Sequence, residues 1–105
     1  MGSTRTNLLY LILEILISGE QMITLYELKI FHTVIQSGSF SRAAQSLYLT
    51  QSSVSQHIDN LEKKLGVHLF FRGNRGVRLT SDGKRLERYA DQLLKLTVEM
   101  ERDLT

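Results

Sequence analysis

The 105-residue chain contains no cysteine, no proline and no tryptophan. The absence of cysteine excludes disulfide bonds and thiol-based sensing in this sequence and fits a cytoplasmic protein. The longest apolar segment, from Leu8 to Ile17, contains Glu14 and has only ten residues, whereas a membrane span needs about 20. Three scattered histidines without cysteine or paired carboxylates form neither a metal site nor a catalytic set, so we expect no metal, no cofactor and no enzyme activity.

The segment from Ser41 to Leu65 has the apolar spacing of two short helices joined by a turn at residues 48–50. In the second helix the apolar positions recur at steps of four, three and four: Val54, Ile58, Leu61 and Leu65. This period predicts one buried stripe along an amphipathic helix. Thr50 is the predicted N-cap of the second helix and Ser41 that of the first, because a hydroxyl at this position accepts from a free backbone amide.

A neutral hydrogen-bonding surface is predicted on the other side of the second helix. Its first two turns present uncharged donors and acceptors, here called the polar face: Gln51, Ser52, Ser55 and Gln56. Such groups can bond the edges of bases in the major groove of DNA, which is about 12 Å wide and admits one helix. The alternative interpretation is an ordinary polar surface on a helical hairpin.

A basic hairpin is predicted after Gly66, which stands where a glycine commonly ends a helix. Residues 67–71 form an apolar, β-favouring run, and residues 77–80 alternate as a half-buried strand does. Between them, Gly73 and Gly76 permit tight turning beside three arginines. Such a tip can approach a phosphate backbone or a minor groove. A solvated hairpin that keeps arginines for solubility is the alternative.

The order of these features closely resembles the DNA-binding domain of LysR-type transcriptional regulators from Leu25 to Thr80. The shared marks are Leu28 and Phe31, Gly38-Ser39-Phe40-Ser41 with Ala43-Ala44, Thr50-Gln51-Ser52 with Val54-Ser55, Ile58, Leu61 and Glu62 to Leu65-Gly66, Leu69-Phe70 with Arg72, and Leu79-Thr80 with Gly83. The resemblance implies a mainly α fold: a winged helix-turn-helix of three helices and a two-stranded wing, followed by a long dimerisation linker helix.

The function implied by this resemblance is sequence-specific binding of double-stranded DNA as a dimer, in transcriptional regulation. Whole family members also carry an effector-sensing domain of two α/β lobes for a small molecule, which is absent from this sequence. The rival hypothesis is a winged-helix module that binds a protein partner and no DNA.

The linker helix is predicted to start after Thr80 as N-cap and to continue to Leu104, a length of roughly 36 Å at 1.5 Å per residue. Its seam positions alternate at steps of four and three, as in a coiled coil, and only Thr97 interrupts their apolar character: Leu86, Ala90, Leu93, Thr97, Met100 and Leu104. The resemblance implies that two copies pair through this helix, antiparallel, and bind an interrupted palindrome. The alternative is that the helix folds back on its own domain.

Positive charge is concentrated in residues 22–80, which contain seven basic and three acidic side chains, a net charge of +4. Residues 1–21 and 81–105 each have a net charge of −1. This concentration is the electrostatic footprint expected of a DNA-binding domain.

Individual roles follow from the motifs and from the resemblance. The predicted base contacts are Gln51, Ser55 and Gln56. The predicted contacts to the DNA backbone are Arg42, Thr50, Ser52, Ser53, His57 and Lys63. The predicted wing contacts are Arg72, Asn74, Arg75 and Arg78. In the family the position of Gln56 is frequently arginine and that of Ser52 often proline, and a glutamine at position 56 favours adenine.

We expect three segments: an N-terminal extension at 1–21, the winged domain at 22–80 and the linker helix at 81–105. Met22 falls where family members commonly start, so the extension is expected to derive from an upstream start codon or a cloning addition. Its apolar run predicts an extra helix that packs on a protein surface. The predicted core comprises Leu25, Leu28, Phe31, Val34, Ile35, Phe40, Ala44, Leu47, Val54, Ile58, Leu61, Leu69 and Leu79.

Overall fold

The computed structural model describes residues 4–18, 22–73 and 76–105. Within these ranges the chain forms five helices: α1 (Thr4–Ser18), α2 (Leu25–Ser37), α3 (Phe40–Leu47), α4 (Gln51–Leu65) and α5 (Ser81–Leu104). Two of the predicted wing residues, Asn74 and Arg75, lie outside the described residues.

The ends of α4 and the start of α5 follow local signals in the sequence. Thr50 caps α4 by accepting a hydrogen bond from the amide of Ser53 at 3.0 Å, and Thr80 caps α5 by accepting from the amide of Gly83 at 3.0 Å. Gly66 ends α4 in the left-handed conformation, with φ of 70°. These three predictions are confirmed, since each feature needs only a hydroxyl or a glycine at the right position.

The first helix of the motif starts earlier than predicted. Ser39, not Ser41, is the N-cap of α3, and its hydroxyl accepts from the amide of Arg42 at 2.9 Å. The prediction was wrong because Ser41 is already the second residue of α3 and so has helical backbone. Ser39 has the extended backbone that a cap requires.

Helix α2 begins at a capping box that the sequence also signals. Thr24 accepts from the amide of Glu27 at 3.1 Å, and a carboxylate oxygen of Glu27 accepts from the amide of Thr24 at 2.8 Å. The spacing of threonine and glutamate three residues apart is typical of this motif. Thr24, the N-cap, lies directly before Leu25, the first helical residue of α2.

The turn between α3 and α4 holds Tyr48 in the left-handed region, with φ of 57°. Among the described residues it is the only non-glycine residue with positive φ. Its side chain is 96% exposed, so no packing compensates for the conformational cost.

The core lies where α2 packs against α3, α4 and α5. Its buried apolar residues are Leu28, Ile30, Phe31, Val34, Ala43, Ala44, Val54, Ile58, Leu61, Leu69, Phe70 and Ala90. Of the predicted core, Leu25 is the exception, with 47% of its surface exposed. Leu25 lies on the side of α2 opposite the buried stripe of Phe31 and Val34, so the prediction for it was wrong. Ile35, Phe40, Leu47 and Leu79 are half-buried against this cluster.

The hairpin after α4 closes with an antiparallel bridge between Phe70 and Leu79. The amide of Phe71 donates to the carbonyl of Arg78 at 2.9 Å, and the amide of Thr80 to the carbonyl of Leu69 at 3.0 Å. Within the described ranges the predicted two-stranded wing is therefore a single bridge with flanking hydrogen bonds.

Helix α5 has two different halves. Ala90 is 1% exposed and lies in the core, and Leu86 is half-buried beside it. The first half therefore packs on its own domain, and Ala90 has no free surface for a partner. The large apolar residues that α5 exposes are Tyr89, Leu93, Leu96, Val98, Met100 and Leu104. All but Val98 form a stripe turned away from the predicted one by part of a helical turn.

Helix α1 exposes apolar side chains on all sides, among them Leu9, Leu13 and Ile17. The predicted extra helix is thus present, but in the described ranges none of α2–α5 packs along it. No described helix combines the length and the apolarity needed to cross a membrane.

Candidate nucleic-acid interface

Helix α4 separates an apolar side from a polar side. Val54, Ile58 and Leu61 are fully buried against the rest of the domain. On the opposite side Gln51, Ser52 and Gln56 are exposed, and Ser55 is half-buried. The buried stripe therefore fixes which way the polar face points. The predicted stripe was wrong for its last member, since Leu65 at the end of α4 is 38% exposed.

The start of α4 is suited to an anion. Its first turn contains no acidic residue, and the first backbone amides of a helix carry partial positive charge. The cap hydroxyl of Thr50 lies 3.2 Å from that of Ser52, so two hydroxyls cluster at this end. Ser53 is half-buried beside them and its amide is occupied by Thr50. The start of α4 thus presents two exposed hydroxyls, those of Thr50 and Ser52.

His57 lies at the flank of α4 against a neighbour from α2. Its ring is 5.3 Å from that of Tyr26, centroid to centroid, in an edge-to-face arrangement. This contact could not be predicted from the sequence, because the two positions are 31 residues apart. Tyr26 limits the directions in which the ring of His57 can point.

Arg72 is bound to α4 by two carboxylates. Its Nη2 lies 3.0 Å from Oδ1 of Asp59 and 2.6 Å from Oε1 of Glu62. The other oxygen of Glu62 accepts from the buried amide of Leu69 at 2.7 Å. The guanidinium therefore ties the hairpin to α4 and compensates the charge of Asp59, which lies one turn beyond Ser55.

The second described wing arginine, Arg78, lies over the ring of Phe71 with its guanidinium carbon 5.2 Å from the ring centroid. A cation held over an aromatic face keeps its charge at the surface while its orientation is restricted. Arg78 thus remains available to a phosphate.

Lys64 is occupied inside the protein. Its Nζ lies 2.9 Å from both carboxylate oxygens of Glu27, and both side chains are largely buried. Burial alone raises the pKa of Glu27, but hydrogen bonds from Lys64 and Thr24 and the charge of Lys64 outweigh burial and leave the pKa below its usual value of 4.5. This pair fixes α4 to the start of α2.

All three acidic side chains of residues 22–80 are thus paired with Lys64 or Arg72. Within the described part of the chain, no ion pair forms at the other basic residues of this segment, Lys29, Arg42, Lys63 and Arg78. The positive charge of the domain therefore resides in exposed side chains on α2, α3, α4 and the hairpin.

The sequence pattern described as "Bacterial regulatory helix-turn-helix protein, lysR family" matches residues 25–84. The chain belongs to this family. It is 46% identical over 76 residues to the HTH-type transcriptional regulator YofA of Bacillus subtilis (strain 168), a match that covers 72% of this chain and 27% of that protein. The chain thus matches about a quarter of that relative's length.

Solved structures show the same fold. The BenM DBD in complex with benA site 1 DNA is 35% identical, with a TM-score of 0.76 and coverage of 78% of this chain and 92% of that one. The CbnR DBD in its DNA complex is 30% identical, with a TM-score of 0.73 and coverage of 77% and 93%. The family implied by the sequence resemblance is confirmed, and so is a mainly helical fold like that of LysR DNA-binding domains. The described residues of the predicted two-stranded wing form only the bridge between Phe70 and Leu79.

Proposed function

We propose that this chain binds double-stranded DNA with sequence preference, with α4 in the major groove, as the DNA-binding part of a LysR-type transcriptional regulator in the cytoplasm. The observation that carries the proposal is the polar face, held outward by the fully buried Val54, Ile58 and Leu61. The DNA complexes of the similar BenM and CbnR domains support it.

In this proposal Gln51, Ser55 and Gln56 contact base edges. Glutamine offers a carbonyl acceptor and an N–H donor side by side, which matches the N6 and N7 groups of adenine. A good bidentate contact discriminates against a wrong base by about 1–3 kcal/mol. Phosphates are bound by Thr50, Ser52 and Ser53 at the start of α4 and by Arg42, Lys63 and His57 around it.

The hairpin supplies the second contact region. Asn74, Arg75 and Arg78 contact the minor groove or its phosphates. Arg72 acts chiefly by holding the hairpin on α4 and by compensating Asp59, since its Nη2 is bound to both carboxylates.

Two copies are proposed to pair through α5 and to bind an interrupted palindrome. The exposed stripe of Tyr89, Leu93, Leu96, Met100 and Leu104 is apolar over the second half of the helix. A seam of this kind is stable when a second apolar helix covers it. Of the predicted dimer contacts, Leu93, Thr97, Met100 and Leu104 stay in this proposal, whereas Leu86 and Ala90 serve the core of their own domain. A small-molecule effector is assigned to a domain outside this chain.

The test is selection of binding sites from a random duplex library, followed by mobility shift at two salt concentrations. We expect one preferred half-site, and an affinity whose logarithm falls with the logarithm of salt by about 0.9 for each phosphate neutralised. Gln56→Ala should lower discrimination at one base pair by roughly fivefold or more. Gln36→Ala, the same change on the exposed part of α2, is the matched control.

Failure of every duplex in the pool to bind would contradict the proposal. So would unchanged binding after Gln56→Ala combined with Arg72→Ala. Either result would favour a winged helix that binds a protein partner, the second candidate, to which the exposed apolar residues of α1 lend support.

A further inference from the structure

One side chain of the polar face is held in place by a neighbour that the proposed contacts do not include. Nε2 of Gln56 donates a hydrogen bond to Oδ1 of Asn60 at 3.1 Å, one helical turn further along α4. Asn60 is half-buried, whereas Gln56 is exposed. The more restrained side chain therefore supports the freer one.

This bond changes what Gln56 presents to solvent. A primary amide has two N–H donors and one carbonyl acceptor. Asn60 takes one donor, so the carbonyl oxygen and the second N–H remain for a ligand. A glutamine side chain is otherwise flexible, and the ordering of such a side chain on binding lowers affinity.

We propose that Asn60 is a positioning residue that orients the amide of Gln56 before DNA binds and thereby sets the strength of base discrimination at the position that Gln56 contacts. The inference rests on the proposed function. Asn60 itself contacts Gln56 and no base. Its effect is confined to one base pair, because no other member of the polar face is hydrogen-bonded to it in the described structure.

The expected size follows from side-chain pairs four residues apart on a helix. Hydrogen bonds of this type stabilise a helix by an amount worth a factor of roughly 1.5–2.5 in an equilibrium. Loss of the Asn60 acceptor should therefore weaken discrimination between the preferred base pair and its best competitor about twofold.

The experiment measures this ratio of affinities with two duplexes that differ only at the base pair contacted by Gln56. Asn60→Leu removes the acceptor and should lower the ratio about twofold. Asn60→Asp keeps an acceptor and should preserve the ratio. Its added negative charge weakens binding to both duplexes equally, so this effect cancels in the ratio. In a Gln56→Ala background, Asn60→Leu should leave the ratio unchanged, since the coupled partner is gone.

A second readout uses the protein without DNA. In 1H–15N correlation NMR spectra, Asn60→Leu should move the side-chain amide signals of Gln56 toward those of Gln36, which is exposed on α2. Signals that do not move would overturn the inference.

The outcomes separate the two proposals. An unchanged ratio in Asn60→Leu, or an equal fall with and without Gln56, would overturn the role of Asn60 while DNA binding stands. An equal loss of affinity for both duplexes in Asn60→Leu would also overturn it, because that is the mark of a merely structural residue. If no duplex binds at all, the proposed function fails and the inference falls with it.

Discussion

The inner and outer sides of α4 are built on different principles. The inner side has partners outside the helix: Glu62 binds Leu69 and Arg72 of the hairpin, and Lys64 binds Glu27 of α2. On the outer side the one side-chain bond of Gln56 spans a single turn. Substitutions on the inner side should therefore change the stability of the domain, and substitutions on the outer side should change recognition at nearly constant stability. The predictions below probe that division.

The largest effect is expected from Gly83→Ala at the start of α5. A Cβ at this buried position would overlap the carbonyl oxygen of Leu69 and lie 2.9 Å from Cδ2 of Leu79. Neither the backbone of Leu69 nor α5 can shift without opening the base of the hairpin. The variant should lose about 3 kcal/mol of unfolding free energy, measured by denaturant titration. Ser81→Ala, at an exposed position of the same turn, is the control. An unchanged midpoint for Gly83→Ala would show that α5 is not seated as described.

The next effect concerns the Glu27–Lys64 pair. Lys64→Met leaves a buried carboxylate without its cation and should cost about 2 kcal/mol at pH 7. Lys63→Met, on the exposed neighbour, should have little effect.

The pH dependence of that loss has a defined sign. The lowered pKa of Glu27 in the folded protein means that the pair contributes stability above about pH 4.5 and loses it as pH falls below. Without Lys64 the pKa of Glu27 rises, because burial is then opposed only by the hydrogen bonds from Thr24. The difference between Lys64→Met and wild type should therefore shrink from pH 7 to pH 4 in unfolding titrations. A constant difference would mean that the pair contributes no charge-dependent stability.

Arg72 tests the boundary between the two sides. Arg72→Ala uncovers the carboxylate of Asp59 beside the polar face and should weaken DNA binding about fivefold. If compensation is its main role, adding Asp59→Asn should recover most of that loss in a mobility shift. No recovery would assign Arg72 to a direct contact with DNA, the role predicted from the sequence.

The smallest effect is expected at Tyr48, an exposed residue whose substitution should change stability and not recognition. Tyr48 is exposed in the turn before α4, and its left-handed backbone carries a conformational cost. Tyr48→Asn should raise the unfolding free energy by about 0.5 kcal/mol, because asparagine adopts this conformation more readily. Tyr89→Asn on helical α5 should bring no gain. A loss of stability in Tyr48→Asn would point to a packing role that the burial does not show.

Much of this architecture could be predicted because its signals are local. The caps at Thr50 and Thr80, the glycine at 66 and the stripe through Val54 each depend on residues within one or two turns. The box of Thr24 and Glu27 and the four-residue step from Gln56 to Asn60 were equally local signals that the sequence analysis did not use.

The remainder depends on how distant segments meet. Nothing near Arg72 shows that Asp59 and Glu62 will bind it, because the hairpin must first fold back on α4. The burial of Ala90, predicted to face a second copy, likewise depends on where α2 lies. Local patterns identify helices and faces, whereas charge partners and the choice of buried face require the assembled core.

The second half of α5 gives the molecule a lever. From Ala90, where the helix is anchored, to Leu104 is roughly 21 Å at 1.5 Å per residue, and no glycine or proline interrupts this stretch. A tilt of about 5° at the anchor would move the far end by about 2 Å. Small rotations of α5 around Ala90 therefore become larger displacements near Leu104. Conversely, a force applied near Leu104 exerts a torque on the core beside α2.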